Sequence, residues 1–90
     1  MKQNKINFRY SVRILLKRKG KILLLERGLD RSGYSLPGGT VESKETPVQA
    51  VKRETFEEIG LEVKKKHLKL VHTLQRRRKK THYEIIDFYQ

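Results

Sequence analysis

The chain has 90 residues, 36% of them hydrophobic, which is enough for one small domain with a modest core. It contains no cysteine, so disulfide bonds, zinc–thiolate sites and thiol nucleophiles are excluded. Its formal net charge is +12 at pH 7. No apolar run approaches the roughly 18–20 residues that a membrane span needs, and the N-terminus lacks a signal-peptide pattern. These features predict a soluble cytoplasmic protein with no membrane partner.

The first part of the chain predicts a β-hairpin. Phe8 to Leu16 mixes polar and apolar residues in partial alternation, which indicates a strand. The apolar run from Lys21 to Glu26 predicts a buried strand, and Gly20 between the two allows a turn with positive φ. After a polar loop, Tyr34 to Leu36 is predicted to be extended, because Pro37 disfavours helix at the residue before it.

A helix is predicted over residues 47–59. Thr46 is a good N-cap, Pro47 fits the first helical position, and Gln49 completes a Thr-x-x-Gln capping box. Gly60 fits the position just after the helix, where a left-handed residue is favoured.

The last part of the chain predicts a short extended piece and a second hairpin. The extended piece is Leu61 to Val63. The strands of the hairpin are Leu68 to Leu74 and His82 to Tyr89, and they flank a basic turn from Gln75 to Thr81.

The segment from Lys64 to Lys80 contains nine Lys or Arg residues and no acid. Such a stretch attracts polyanions, including nucleic acid, and its field also favours small substrates that carry phosphate. The same charges are typical of a solvated hairpin tip. We favour the solvated tip over a nucleic acid partner and leave the phosphate-bearing small substrate open.

Three glutamates of the predicted helix share one face. Glu54, Glu57 and Glu58 stand at positions i, i+3 and i+4, where like charges repel one another. Because no lysine faces them, the pattern suggests a missing cation. The best candidate is a hard divalent ion such as Mg²⁺, which prefers oxygen ligands and keeps waters for a phosphate-bearing substrate.

The residues around these glutamates resemble the Nudix box, G-x5-E-x7-R-E-U-x-E-E-x-G-U, where U is a bulky aliphatic residue. The match covers residues 39–61, from Gly39 to Leu61, and Leu36-Pro37-Gly38 and Glu42 also look like the family. The resemblance implies an α/β fold, an αβα sandwich with a mixed β-sheet. It also implies one domain over residues 1–90 that lacks the C-terminal strand and helix of longer members.

The resemblance implies a pyrophosphohydrolase that cleaves a nucleoside diphosphate linked to another moiety, with Mg²⁺ or Mn²⁺ as cofactor. By position, Glu54, Glu57 and Glu58 match the catalytic and metal-binding glutamates, and the carbonyl of Gly38 matches a further metal ligand. Arg53 and Glu45 match a salt-bridged pair that orients the loop and the helix.

Other residues are candidates for substrate binding or depart from the family pattern. Arg27 could meet a phosphate or be an exposed charge at a strand end, and Tyr34 could stack on a base, although we favour it as a core residue or loop anchor. Thr55 stands where a bulky aliphatic is usual, and it can fill that position if its hydroxyl bonds back to a carbonyl of the preceding turn. Lys44 stands where glycine is common, which could change the loop backbone. We interpret the histidines as structural because they lack metal-ligand spacing; they are His67, His72 and His82.

Two alternatives remain open at this point. The chain could be a non-catalytic module of the same fold that binds nucleotide or nucleic acid through the basic segment Lys64 to Lys80. It could also complete its fold as a homo-oligomer, because an exposed strand edge invites association with another copy.

Overall fold

The central feature of the computed structural model, which describes residues 7–26, 33–79 and 82–90, is a four-stranded mixed sheet. Its strand order is β6-β1-β8-β7. The pair β1–β8 is parallel, and the pairs β6–β1 and β8–β7 are antiparallel. The sheet strands are β1 (Asn7–Ile14), β6 (Gly38–Thr40), β7 (Leu70–Lys79) and β8 (His82–Tyr89). The predicted α/β class with a mixed sheet is confirmed.

Two small strand pairs lie outside this sheet, and both are antiparallel. They are β2 (Lys17–Arg18) with β3 (Lys21–Ile22), and β4 (Leu25–Glu26) with β5 (Tyr34–Ser35). The predicted hairpin around Gly20 is therefore confirmed in a short form, with Gly20 at φ 76°. β1 ends at Ile14, two residues before the predicted end of the first strand.

The predicted buried strand from Lys21 to Glu26 is wrong. The run is broken after Ile22, and the side chains of Ile22, Leu23 and Leu24 are 45%, 40% and 50% exposed. An apolar run becomes buried only when other elements cover it. This run lies in the two small pairs rather than in the central sheet, so its burial does not follow from its composition.

The second hairpin is longer than predicted. β8 has the expected bounds, but β7 continues through the predicted basic turn to Lys79. Cross-strand partners explain the extension, since Arg76 lies opposite Glu84 and Arg77 lies opposite Tyr83. The predicted extended piece from Leu61 to Val63 pairs with no described strand and is followed by a single 3-10 turn, Lys65–His67.

The helix α1 (Pro47–Ile59) has the predicted bounds and caps. The Thr46 hydroxyl accepts a hydrogen bond from the Gln49 amide at 3.1 Å, and the Thr46 amide donates to Gln49 Oε1 at 2.8 Å. Gly60 follows in the left-handed conformation with φ 71°. The capping box therefore fixes where the helix begins, which sets the direction of every side chain on it.

α1 packs on one face of the sheet and buries one side of itself. Its Ala50 and Val51 join Val12 and Ile14 of β1 and Tyr89 of β8 in the core. On the sheet, alternate residues face this core, so β1 contributes every second side chain to it. Among the described residues, no helix is both long and apolar enough to cross a bilayer.

Thr55 also faces the core and is fully buried, but its hydroxyl has no hydrogen-bond partner among the described residues. Thr55 therefore fills the position without the bond to the preceding turn that would satisfy its hydroxyl. A buried hydroxyl without a partner destabilises the fold because it has lost its hydrogen bonds to water and forms none within the protein.

Thr55→Val is expected to stabilise the protein, since valine keeps the shape and removes the unpartnered hydroxyl. We expect the free energy of unfolding to rise by about 1–2 kcal/mol, measured by urea denaturation. Thr55→Ser is the matched control: it keeps the hydroxyl, loses a buried methyl, and should be less stable than wild type. A valine variant less stable than wild type would contradict the assignment.

Candidate functional site

Arg53 stands at the centre of a group of acidic side chains between α1 and the loop before it. Its guanidinium donates to Glu45 twice, from Nε to Oε2 at 2.8 Å and from Nη2 to Oε1 at 3.1 Å. Nη2 also donates to the carbonyl oxygen of Thr40 at 3.0 Å. The predicted Arg53–Glu45 pair is present in the structure, in the two-pronged form that fixes orientation as well as distance.

This pair is well shielded from water. The Glu45 side chain is 14% exposed and that of Arg53 is 23% exposed. The hydrogen bonds from Arg53 lower the pKa of the Glu45 carboxyl, and the Glu42 amide adds a further bond to it at 3.0 Å. The bond with Glu45 in turn raises the pKa of Arg53 above its already high value. In each group the contact therefore favours the charged form.

Arg53 also holds two of the three helix glutamates. Nη1 donates to Glu54 Oε1 at 2.7 Å and lies 3.4 Å from Glu57 Oε2, and it lies 3.5 Å from Glu42 Oε1. The lack of a facing lysine therefore does not by itself indicate a missing cation, because Arg53 faces two of the glutamates. Sequence spacing excluded a lysine partner but not the arginine beside Glu54, which is also four residues before Glu57.

The third glutamate contacts Gly38, which together with Gly39 opens β6. These two residues are called the glycine loop below. The Gly38 amide donates to Glu58 Oε1 at 2.8 Å. A Cβ on Gly38, whose φ is 151°, would lie 2.0 Å from the carbonyl oxygen of Val12. A Cβ on Gly39 would lie 2.6 Å from the carboxylate of Glu54. Only glycine fits at position 38, because the Val12 backbone lies too close for any side chain, whereas a side chain at position 39 would displace the Glu54 carboxylate.

The carboxylates provide suitable donors for a hard divalent cation but do not converge on one point. All the candidate ligands are oxygens, and the missing Cβ of Gly39 leaves space beside Glu54. Glu54 is bonded to Arg53, Glu58 to the Gly38 amide, and the Glu57 side chain is 57% exposed. In the described parts of the chain, no three His, Cys, Asp or Glu side chains form a metal site as they stand. A bound cation would therefore have to exchange places with some of these hydrogen bonds.

The predicted substrate residues are not part of this group. Tyr34 is 68% exposed on β5, where it pairs with Glu26. Arg27 lies outside the described residues. Lys44 takes a left-handed conformation with φ 67°, so this loop position uses the backbone shape that glycine adopts most easily. None of the histidines joins a metal cluster among the residues that the structure describes.

Sequence reasoning missed two buried acids on β8. Asp87 accepts hydrogen bonds from Tyr10 and, at 2.7 Å, from Thr73. Burial, with Asp87 beside it, raises the pKa of the Tyr10 hydroxyl. Glu84 is bonded to Arg76 at 2.7 Å. An acid inside an otherwise apolar strand is the signal that could have found them, since a buried carboxylate needs partners.

Comparison with known proteins shows similarity over most of the chain. A family model for the NUDIX domain matches residues 7–88. An RNA pyrophosphohydrolase from Xylella fastidiosa (strain M12) is 43% identical over 54 residues, which cover 60% of this chain and 28% of that protein. A MutT-like protein from Streptomyces ambofaciens is 38% identical over 50 residues, which cover 56% of this chain and 32% of that protein. The chain thus spans about a third or less of the length of these relatives.

Solved structures show the same fold. The solution structure of the E. coli ORF135 protein is 27% identical with a TM-score of 0.78, and the match covers 93% of this chain and 60% of that one. The crystal structure of a MutT NUDIX hydrolase from Burkholderia pseudomallei is 26% identical with a TM-score of 0.77, covering 92% and 65%.

Glu45→Gln tests the shielded pair. Because the folded-state pKa of Glu45 lies below its unfolded-state value, its stabilising effect is complete above the unfolded value and is lost as pH falls through the folded value. We expect the variant to lose about 2 kcal/mol of unfolding free energy near neutral pH, and the difference from wild type to shrink on acidification. Urea denaturation at a series of pH values measures both effects.

Glu62→Gln is the control for this experiment, since it removes the same charge from an exposed residue just beyond the helix. Its unfolding free energy should follow that of wild type at every pH. A loss for Glu45→Gln that stays constant down to acidic pH would show that the pair does not titrate as described.

Proposed function

The chain belongs to the Nudix domain family, and from that membership we propose that it hydrolyses a phosphoric anhydride in a nucleoside diphosphate that is linked to another group. The arrangement around Arg53 is the observation that supports this most strongly. It gathers Glu54 and Glu57 at one end of a capped helix, and Glu58 reaches the same glycine loop. The relatives named RNA pyrophosphohydrolase and MutT-like protein support the reaction class.

Glu54, Glu57 and Glu58, with the carbonyl of Gly38, would hold Mg²⁺ or Mn²⁺. The ion, when bound, would neutralise negative charge on the anhydride oxygens and lower the pKa of a water bound to it. The residues of the chain contribute position. Gly38 and Gly39 keep the loop clear of side chains so that a diphosphate can approach, and Arg53 holds the loop and the helix in one orientation.

A glutamate of the helix accepts the proton of the attacking water in this proposal. A carboxylate can do so only within hydrogen-bond reach of that water. Arg53 restricts the Glu54 side chain at 2.7 Å, whereas its contact with Glu57 is longer, at 3.4 Å, and Glu57 is 57% exposed, so Glu57 can turn toward a ligand more easily. Tyr34, which lies on β5, would stack on the base in this proposal, and Arg27 would meet a phosphate.

The alternative is a non-catalytic module of the same fold that binds nucleotide or nucleic acid. The observation in its favour is that Glu54 and Glu58 already have protein partners, so an ion has to compete with Arg53 and the Gly38 amide. The basic segment from Lys64 to Lys80 would provide the attraction for a polyanion. The two candidates differ in turnover, which one experiment measures.

Glu57→Gln separates the candidates. We expect phosphate release from a panel of nucleotide sugars, dinucleoside polyphosphates, modified nucleotides and 5′-triphosphate RNA to fall about 100-fold or more, because a carboxylate that would hold the cation and could accept the proton of the attacking water is lost. Mg²⁺ and Mn²⁺ uptake, followed by titration calorimetry, should weaken in parallel. The substitution keeps the side-chain shape, and Glu57 is largely exposed, so the fold should be unaffected.

Glu62→Gln again serves as the matched control. It removes an equal charge outside the cluster of glutamates around Arg53, so it should keep both turnover and metal uptake. Equal rates for wild type and Glu57→Gln would count against the hydrolase. Salt-dependent RNA binding with no turnover of any substrate would support the non-catalytic module instead.

A further inference from the structure

Two aromatic rings lie stacked at the end of the sheet far from the glycine loop. The ring centroids of Phe8 on β1 and Tyr83 on β8 are 5.5 Å apart, with an angle of 27° between the ring planes. Phe8 is 70% exposed although it is fully apolar, and Tyr83 is half-buried. A large aromatic side chain gains nothing from such exposure, so the exposed Phe8 ring, stacked beside Tyr83, is a surface that a flat ligand would fit.

The neighbours of this pair are polar and basic. Arg77 lies directly opposite Tyr83 on the adjacent strand β7, and Gln75 lies opposite Ile85, so these side chains share one face of the sheet. A shallow depression of about 300 Å³ is lined by Phe8, Tyr83, Gln75 and Arg77 among others. Arg77 is exposed, and the sequence continues with three more basic residues at positions 78–80.

Arg76, the next residue on β7, has a different role. Arg76 and the buried Glu84 also line the depression, and the Arg76 side chain is bonded to Glu84 at 2.7 Å, so its charge is already paired. Arg77, which lies opposite Tyr83, is therefore the arginine that is available to a ligand beside the rings. An aromatic surface with a cation at its side combines a stacking partner for a base with a donor for its phosphate.

We propose that Phe8, Tyr83 and Arg77 form a binding site for single-stranded nucleic acid. Every base has a flat π-face that can stack on the exposed Phe8 ring beside Tyr83, and the Arg77 cation attracts the backbone. A protein partner fits this surface less well, because one exposed ring and one half-buried ring lie amid charged and amide side chains, whereas protein interfaces have an apolar core. The site is distinct from the cluster of glutamates around Arg53.

The position of the two aromatic rings allows a bound nucleic acid strand to extend toward the glutamates around Arg53. Phe8 lies on the same face of β1 as Val12, and Val12 is paired with Gly39 of the glycine loop. Four residues of strand separate Phe8 from Val12, which corresponds to about 13 Å. The proposed binding site does not depend on hydrolysis, and it is best tested with a ligand that cannot be hydrolysed.

Fluorescence anisotropy with a labelled 5′-hydroxyl RNA oligonucleotide, without divalent ions, tests the site. We expect Phe8→Ala and Tyr83→Ala each to weaken binding about 5- to 100-fold, since one stacked base is lost. Tyr83→Phe keeps the ring and should bind like wild type, and Phe8→Trp should restore or strengthen binding. Arg77→Gln should lower the slope of log affinity against log salt by about 0.7, as expected for one phosphate contact to a single strand.

Lys21→Gln is the matched control for charge, because it removes one cation from β3, which is not part of the central sheet. If Lys21→Gln weakens binding as much as Arg77→Gln while Phe8→Ala has no effect, binding follows net charge alone and the proposal is overturned. Circular dichroism of each variant confirms that the fold is intact.

Two further ligands identify the chemistry that is recognised. A DNA oligonucleotide of the same sequence should also bind and respond to Phe8→Ala, and tighter binding of RNA would add a contact to the 2′-hydroxyl. Polyglutamate offers charge without bases and should compete poorly. If polyglutamate competes as well as RNA and is equally sensitive to Phe8→Ala, the surface binds acidic peptides and the nucleic acid proposal is wrong.

Discussion

The two-pronged contact between Arg53 and Glu45 is the interaction on which the rest of the candidate site depends. Glu45 belongs to the loop and Arg53 to the second turn of α1, so their hydrogen bonds join two segments that backbone geometry alone leaves free to shift. The same guanidinium reaches the Thr40 carbonyl at the end of β6 and the carboxylate of Glu54. One side chain thus connects strand, loop and helix, and it does so where water is largely excluded and its charge is poorly screened.

The glycine loop gives this connection its tight geometry. Gly38 lies against the backbone of Val12 at a distance that no side chain could occupy, and Gly39 lies against the carboxylate of Glu54. The helix can approach the sheet this closely only because both positions lack a Cβ. The close approach brings the carboxylates of α1 to the strand that carries the loop. Packing and charge therefore support the same arrangement: the core residues Ala50 and Val51 hold one side of the helix, while Arg53 holds the other.

Sequence predicted the parts of this structure that local chemistry determines. The bounds of α1 follow from the capping box at Thr46 and the left-handed Gly60, and the spacing of a known motif predicted the Arg53–Glu45 pair. Predictions that depended on tertiary neighbours fared worse. The apolar run after Gly20 is exposed because no described element covers it, and the basic turn is part of β7 because Glu84 and Tyr83 pair with it. The buried Asp87 was missed because its partners, Tyr10 and Thr73, come from two other strands.

The parallel pairing of β1 with β8 has a consequence for how the chain folds. Residues that face each other in this pair, such as Asn7 and His82, are 75 positions apart in sequence. Contacts of such long range close a large loop of chain and form slowly. β1 can meet β6 first, but its other edge stays open until Tyr83 to Tyr89 have left the ribosome. In that interval the open edge of β1 can pair with a strand of another chain and start aggregation. We expect a chaperone that binds the nascent chain to act at this edge.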